Sequence, residues 1–178
     1  MFYTQRLLLR KWKDTDLSPF SEINKDPKVL EFLPGPLTDV ETAEFIHRIQ
    51  VHFQEFGFGL WAVELKGTGE FIGYVGLSVP GFKAHFTPCV EIGWRLSPPH
   101  WRKGYATEAA TKVLEIGFSE FSLAEIVSFT VPENHRSIQV MEKIGMTRNQ
   151  ADDFCHPKLP AGHQFSRHLL YRIQKSPK

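Results

Sequence analysis

The segment Trp101-Arg102-Lys103-Gly104-Tyr105-Ala106-Thr107 places two cations and a glycine directly ahead of a run with helical apolar spacing. The first turn of a helix has four backbone N–H groups without partners and a partial positive charge, so it suits an anion. Arg102 and Lys103 add full charges. Gly104 removes a side chain where an anion must approach the main chain, and Ala106 is nearly as small, so the amides can curve around a pyrophosphate. The pattern is neither a Walker loop, whose second glycine and GK[ST] ending are missing, nor GxGxxG. Taken alone, it is also what an ordinary solvated helix start looks like.

Two other groupings bear on chemistry. Cys155 adjoins His156, and His85 and His100 flank Cys89, so a metal site or a Cys/His nucleophile is conceivable. No zinc-type pair spacing supports it, and buried cysteine with loop histidines is the plainer reading; no metal is expected. Two cysteines are too few for a disulfide framework and fit a reducing compartment as free thiols.

The elements that must position these residues follow from periodicity. Gln5 to Trp12 is strand-like, and Asp14 and Asp16 are turn or cap residues before the amphipathic LSPFSEINKD. After Pro34–Pro36, Thr38 and Glu41 form a capping box for a helix whose stripe is Phe45, Ile46, Ile49, Val51, Phe53 and Phe56, stopping at Gly57. GLWAVELK and EFIGYVGLSV form a hairpin around Gly67-Thr68-Gly69. In VEIGWRLSP, Val90, Ile92, Trp94 and Leu96 share one face and Glu91, Gly93 and Arg95 the other. Gly93 in the strand interior marks a bulge or a close backbone approach. Ala106 to Phe118 is a helix, AEIVSFTV a strand, and Ser137 to Ile144 a short helix stopped by Gly145. Met146 to Asn149 re-enters the sheet, RHLLYRI is the last strand, and the Lys-Ser-Pro-Lys tail frays.

Composition narrows the class. A chain of 178 residues with 42% hydrophobic residues suits a single domain over 1–178. A net charge of +1 with interspersed signs argues against a dedicated nucleic-acid binder. No apolar run matches a membrane span, the N-terminus lacks signal-peptide order, and a cytoplasmic protein without membrane association is expected.

EIGWRLSPPHWRKGYATEA together with PENHRSIQVMEKIGM, in this order and topology, resembles the GCN5-related N-acetyltransferases (GNAT). The family's acyl-CoA loop reads Q/R, two residues, Gly, one residue, Gly/Ala; Trp101 departs at the first position. Trp there is usual in the branch that acetylates ribosomal-protein N-termini, the RimJ/RimL type. The TQRLLLRKW start and the hairpin extend the resemblance over most of the chain.

The resemblance implies an α+β fold: a mixed, mostly antiparallel sheet of six to seven strands, splayed in a V between strands 4 and 5 and flanked by about four helices. It implies acetyl-CoA as co-substrate and an amine acceptor, either a protein N-terminus or a small molecule such as an amino acid, polyamine or antibiotic. Backbone groups of Trp94, Arg95 and Leu96 would hold the pantetheine, and amides of Arg102, Lys103, Gly104, Tyr105, Ala106 and Thr107 the pyrophosphate. Asn134 matches the family's NxxS asparagine and would contact the cofactor, a role compatible with capping the short helix. Ser137 would give a proton to the leaving thiolate; many members use a Tyr four residues later, where this chain has Met141. Glu91 is the candidate base on the amine, against a solvated strand carboxylate. The acceptor site is expected from Leu30–Pro36, Phe53–Phe58, Gly81–Thr87 and Asp153–Gly162, with Phe32, Phe56, Phe58, Phe82, Phe86 and Phe154 as pocket or packing. A homodimer is plausible from the edge strands. A non-catalytic acyl-CoA sensor is the alternative, and the missing Tyr keeps it open.

Overall fold

The computed structural model describes residues 1–160 and 162–175; the expected fraying of the tail beyond Lys175 falls outside them. Two short strands, β1 (Phe2–Tyr3) and β2 (Leu7–Arg10), precede the helices α1 (Leu17–Lys25), α2 (Pro27–Leu30) and α3 (Asp39–Phe56). Three strands follow: β3 (Leu60–Leu65), β4 (Phe71–Ser78) and β5 (Glu91–Leu96). Next come α4 (Tyr105–Ser119), β6 (Glu125–Thr130), α5 (His135–Lys143), β7 (Thr147–Arg148), β8 (Phe154–Cys155) and β9 (Arg167–Gln174). The strands order as β1-β2-β3-β4-β5-β6-β9-β7, with β8 on β9, and only β5 and β6 run parallel.

This is the expected mixed, mostly antiparallel sheet. The strands beyond the expected seven are β1 and β8, two-residue pairings too short to show a period, and the extra helix is the single turn α2. The V therefore opens between β5 and β6. Strand β5 pairs with β4 continuously from Gly73↔Leu96 to Ser78↔Glu91, but meets β6 only at Glu91↔Val127.

Apolar residues divide between the two sheet faces. On one, α4 lays Ala109, Ala110, Val113 and Leu114 with Met141 and Ile144 of α5 against Val75, Leu77, Ile92 and Leu96. On the other, α1 and α3 bring Phe20, Ile23, Ile46 and Ile49 onto Trp12, Ala62 and Tyr74. A third cluster on that second face joins Phe86, Val127 and Leu170 to Phe82, Phe129 and Phe154.

Helix α3 starts with the expected reciprocal cap: Glu41 N–H donates to Thr38 Oγ1 (3.2 Å) and Thr38 N–H to Glu41 Oε2 (2.8 Å). Its stripe is narrower than expected, because Val51 and Phe56 are 43% and 38% exposed while Ile46 and Ile49 are buried. Buried Arg10 ties β2 to the turn before α1 through paired bonds to Asp16 (2.7 and 2.8 Å), and reaches Glu64 on β3 at 2.7 Å.

Gly93 does not make a bulge: it pairs with Gly76 in unbroken register, and the sheet's irregularity lies at Val63/Glu64 of β3. A Cβ at Gly93 would approach only Glu91 Oε1, at 3.9 Å. The glycine keeps the space beside that carboxylate open.

Candidate active site

The splay opens a cleft of about 720 Å³ through the sheet. Ile92 and Leu96 point into the core under α4, so alternation turns Glu91, Gly93 and Arg95 to the opposite face. The same rule puts Ile126 under α4, and Val127 and Phe129 on the face of Glu91. One side of the cleft is therefore built by the first turn of α4 and by α5, and the other by Glu91, Phe129, His156 and His168.

The main chain along the slot is selective. Val127 N–H donates to the Val90 carbonyl (2.9 Å), and beyond that point side chains occupy the β5 edge. Ser128 Oγ donates to the Ile92 carbonyl (2.9 Å) and the Trp101 indole N–H to the Leu96 carbonyl (2.7 Å). Alternation leaves the N–H and C=O of Trp94, on the same edge, facing the open slot. The Arg95 carbonyl instead faces Gly73 of β4, where any side chain would collide with it. Its guanidinium instead bonds Asn24 Oδ1 (2.6 Å) and lies over Tyr74 and Phe45. The Leu96 carbonyl is likewise taken. Of the three expected backbone contacts, Trp94 alone presents both groups to the slot.

At the start of α4, Arg102 has φ 60 and Gly104 φ 82, the left-handed pair that turns successive amides to one side. Any side chain at Gly104 would pay for that φ and also meet Arg6 Nη2 at 3.3 Å. Arg102, Gly104, Tyr105, Ala106 and Thr107 line the cleft. Lys103 does not; its side chain is exposed and its carbonyl accepts from Arg6 Nη1 (2.9 Å). Arg6, which the sequence did not single out, clamps this turn. Its Nε donates to Glu108 Oε2 (2.6 Å), its backbone N–H to Glu108 Oε1 (2.8 Å), and its guanidinium lies 4.5 Å over the Tyr105 ring. Burial would raise the Glu108 carboxyl, but the bonds from Thr4 and Arg6 outweigh it and hold the group below its ordinary value.

Asn134 lines the cleft, and its side chain is committed locally: Oδ1 accepts from Ser137 N–H (3.2 Å) and Nδ2 donates to Thr130 Oγ1 (3.0 Å). The cap of α5 fixes where Ser137 sits. The Ser137 hydroxyl faces the cleft without a hydrogen-bond partner among the described residues. Met141 is fully buried in the core and does not reach the cleft.

Glu91 is half-buried beside Gly93. Burial pushes its carboxyl up to about 8, and the Ser78 hydroxyl opposes the shift. On the same side, Phe129, Phe154, His156 and His168 pack ring on ring at 5.1–6.2 Å. Arg136 of α5 spans the mouth, bonding Glu31 (2.5 Å) and lying over Trp101 (4.6 Å) and Phe32 (5.6 Å).

Among the loops expected to form the acceptor site, Glu31, Phe32, Leu33 and His156 reach the cleft. Phe56 and Phe58 do not: they pack with His52, and Phe58 also with Phe121. Phe82, Phe86 and Phe154 stand behind Phe129 as packing. Ser128, Phe129, Arg136 and His168 were missed, since each arrives by strand pairing or helix docking that no local pattern announces.

Cys89 is a poor nucleophile. The Cys89 thiol is pushed up to about 11 by burial and the nearby Glu91, and Cys155 is exposed. Among the described residues, no group of three His, Cys, Asp or Glu could hold a metal, and no helix is long and apolar enough to cross a membrane.

Comparison with known proteins adds a lineage to this geometry. The acetyltransferase (GNAT) domain family matches residues 6–147. The uncharacterized N-acetyltransferase YnaD of Bacillus subtilis (strain 168) is 33% identical over 171 residues, 96% of this chain and 94% of that protein. The crystal structure of a GNAT-family acetyltransferase from Bacillus anthracis aligns with a TM-score of 0.79 at 31% identity, over 97% of this chain and 96% of that one. Spermidine N-acetyltransferase from Vibrio cholerae, solved with CoA and spermine, shares the fold at a TM-score of 0.73 and 18% identity, over 94% and 95% of the two chains.

Proposed function

Because the chain belongs to the GNAT acetyltransferase family, we propose that it transfers the acetyl group of acetyl-CoA to a primary amine, a protein N-terminal α-amine or that of a small molecule. The observation that carries this reading is one shared cleft. It joins an anion-binding turn at Arg102–Thr107, an open strand edge at Trp94, a raised carboxyl at Glu91 and an unpartnered hydroxyl at Ser137.

Each part has a task. The turn, with Arg102, holds the pyrophosphate, and Trp94 hydrogen-bonds the pantetheine as a strand partner would. The amine nitrogen bonds to the acetyl carbon as the carbon–sulfur bond breaks. Glu91 removes the amine's proton, directly or through a water, and Ser137 supplies one to the departing sulfur and regains it from solvent. A carboxylate with a pKa near 8 is a far stronger base than an ordinary one, which suits an α-amine of pKa ~8 better than a lysine of ~10.4.

Release of free CoA thiol from acetyl-CoA with panels of N-terminal peptides, amino-acid amides, polyamines and aminoglycosides tests the proposal. Tight acetyl-CoA binding with no thiol release from any amine would refute it in favour of a sensor.

A further inference from the structure

On the side of the cleft that carries Glu91, the wall holds two imidazoles whose roles the main chain decides. His168 Nδ1 is bonded to the Ser166 carbonyl (3.2 Å); a carbonyl only accepts, so this nitrogen holds the hydrogen and Nε2 is a bare acceptor. His156 Nδ1 accepts from Lys158 N–H (3.3 Å), so its hydrogen is on Nε2, a donor. Neither Nε2 has a partner among the described residues, neither is sealed from solvent, and both residues line the cleft. The rings lie 5.1 Å apart beside Phe129. Burial lowers both imidazoles below their ordinary value, which keeps this donor–acceptor pair in its neutral form.

The charges nearby are already matched. Asp153 is held by Arg148 and Arg167, Asp152 by Arg172, and Glu31 by Arg136. Glu91 and Glu133 are the lining carboxylates without an ion pair among the described residues, and Glu133 sits just before α5, on the other side of the cleft from the imidazoles. Aromatic rings alone can hold a cation, but a second ammonium at this wall would meet the His156 N–H with no further carboxylate on its side of the cleft.

We infer that the acceptor is an α-amino amide with an apolar side chain: the His156/His168 pair reads its first amide group, Phe129 packs its side chain, and polyamines are poor substrates. An amide offers one C=O to the donor and one N–H to the acceptor, and the ring wall supplies the apolar complement. This rests on the acetyl-transfer reading.

The test compares thiol release with phenylalanine amide, 2-phenylethylamine, which keeps ring and amine but lacks the amide, and spermidine. The expected kcat/KM for phenylalanine amide exceeds that for 2-phenylethylamine about 10-fold and that for spermidine by more. In His168→Phe and His156→Phe, which keep a ring, the advantage over 2-phenylethylamine collapses while 2-phenylethylamine itself changes less than about 3-fold. Spermidine turned over as well as the amide, or both amines falling together in the variants, overturns the inference and leaves acetyl transfer standing. Silence with every amine overturns both.

Discussion

Glu91→Gln separates a base from a bystander, because two readouts must move in opposite directions. At pH 7 a group with a pKa of about 8 is only about one-tenth ionised, so a reaction needing the carboxylate should accelerate about 10-fold between pH 7 and 9. Removing a positioned base costs typically ~10²-fold or more, most visibly at pH 9 where the wild-type group is fully ionised. The amine ionises too, so the profile is measured with an α-amine (~8) and a lysine-like amine (~10.4). In Glu91→Gln the remaining midpoint should follow the amine, whereas the wild type keeps a step near 8 with both.

Stability supplies the second readout. The folded state retains a proton that the unfolded chain has released, so Glu91 costs stability that begins above pH 4.5 and is complete above pH 8. Moving the carboxyl from 4.5 to about 8 corresponds to at most about 5 kcal/mol. Solvent reaching a half-buried side chain reduces this to about 1–3 kcal/mol. In thermal melts at pH 8.5, Glu91→Gln should therefore unfold roughly 3–10 °C higher than wild type, and the two should converge near pH 4.5. A variant that is slower and also less stable at pH 8.5 would indicate damage rather than a lost base. One with the unaltered profile and rate would remove Glu91 from the chemistry.

Ser137→Ala should lower turnover about 10-fold or more while the Kd for acetyl-CoA, by calorimetry, stays within about 2-fold, since the α5 cap uses the Ser137 backbone and not its hydroxyl. Arg6→Ala should weaken CoA several-fold without affecting a pantetheine fragment that lacks the pyrophosphate, because the clamp acts on the turn at Lys103–Tyr105; equal losses for both ligands would refute a local effect. Arg10→Met should leave Asp16 buried without its bidentate partner and cost about 3–5 kcal/mol, read as a fall in Tm of roughly 10 °C.

What the sequence made legible is what neighbouring residues encode. Arg102 to Thr107 announced an anion site because its cations, its glycine and the helix it begins are contiguous, and Thr38/Glu41 announced its cap for the same reason. Asn134 and Ser137 came from the resemblance to the family's NxxS segment, and the cap between them is local. The misplaced details are those that depend on a partner. Arg95 reads as one of three equivalent backbone donors until β4 claims its carbonyl, and Gly93 reads as a bulge until its register with Gly76 is known. Arg6 reaches a carbonyl 97 positions away.

The wall of His156 and His168 lies furthest from local pattern and is most sensitive to pairing. His168 stands next to Phe129 only because β9 pairs with β6 in the register Phe129↔Leu170, so that residues 168 and 170 share a face. Side chains alternate with period two, so slipping that pairing by one residue would turn His168 toward α5 and put charged Arg167 against the Phe129 ring. The Phe82–Phe86–Phe129–Phe154 cluster opposes the slip, since the same register seats Leu170 beside Val127 and Phe86 in a closed apolar core. Packing that looks purely structural in the sequence thus sets which side chains line this wall of the cleft. Substitutions that loosen Phe86 or Leu170 should therefore change acceptor preference before they weaken cofactor binding.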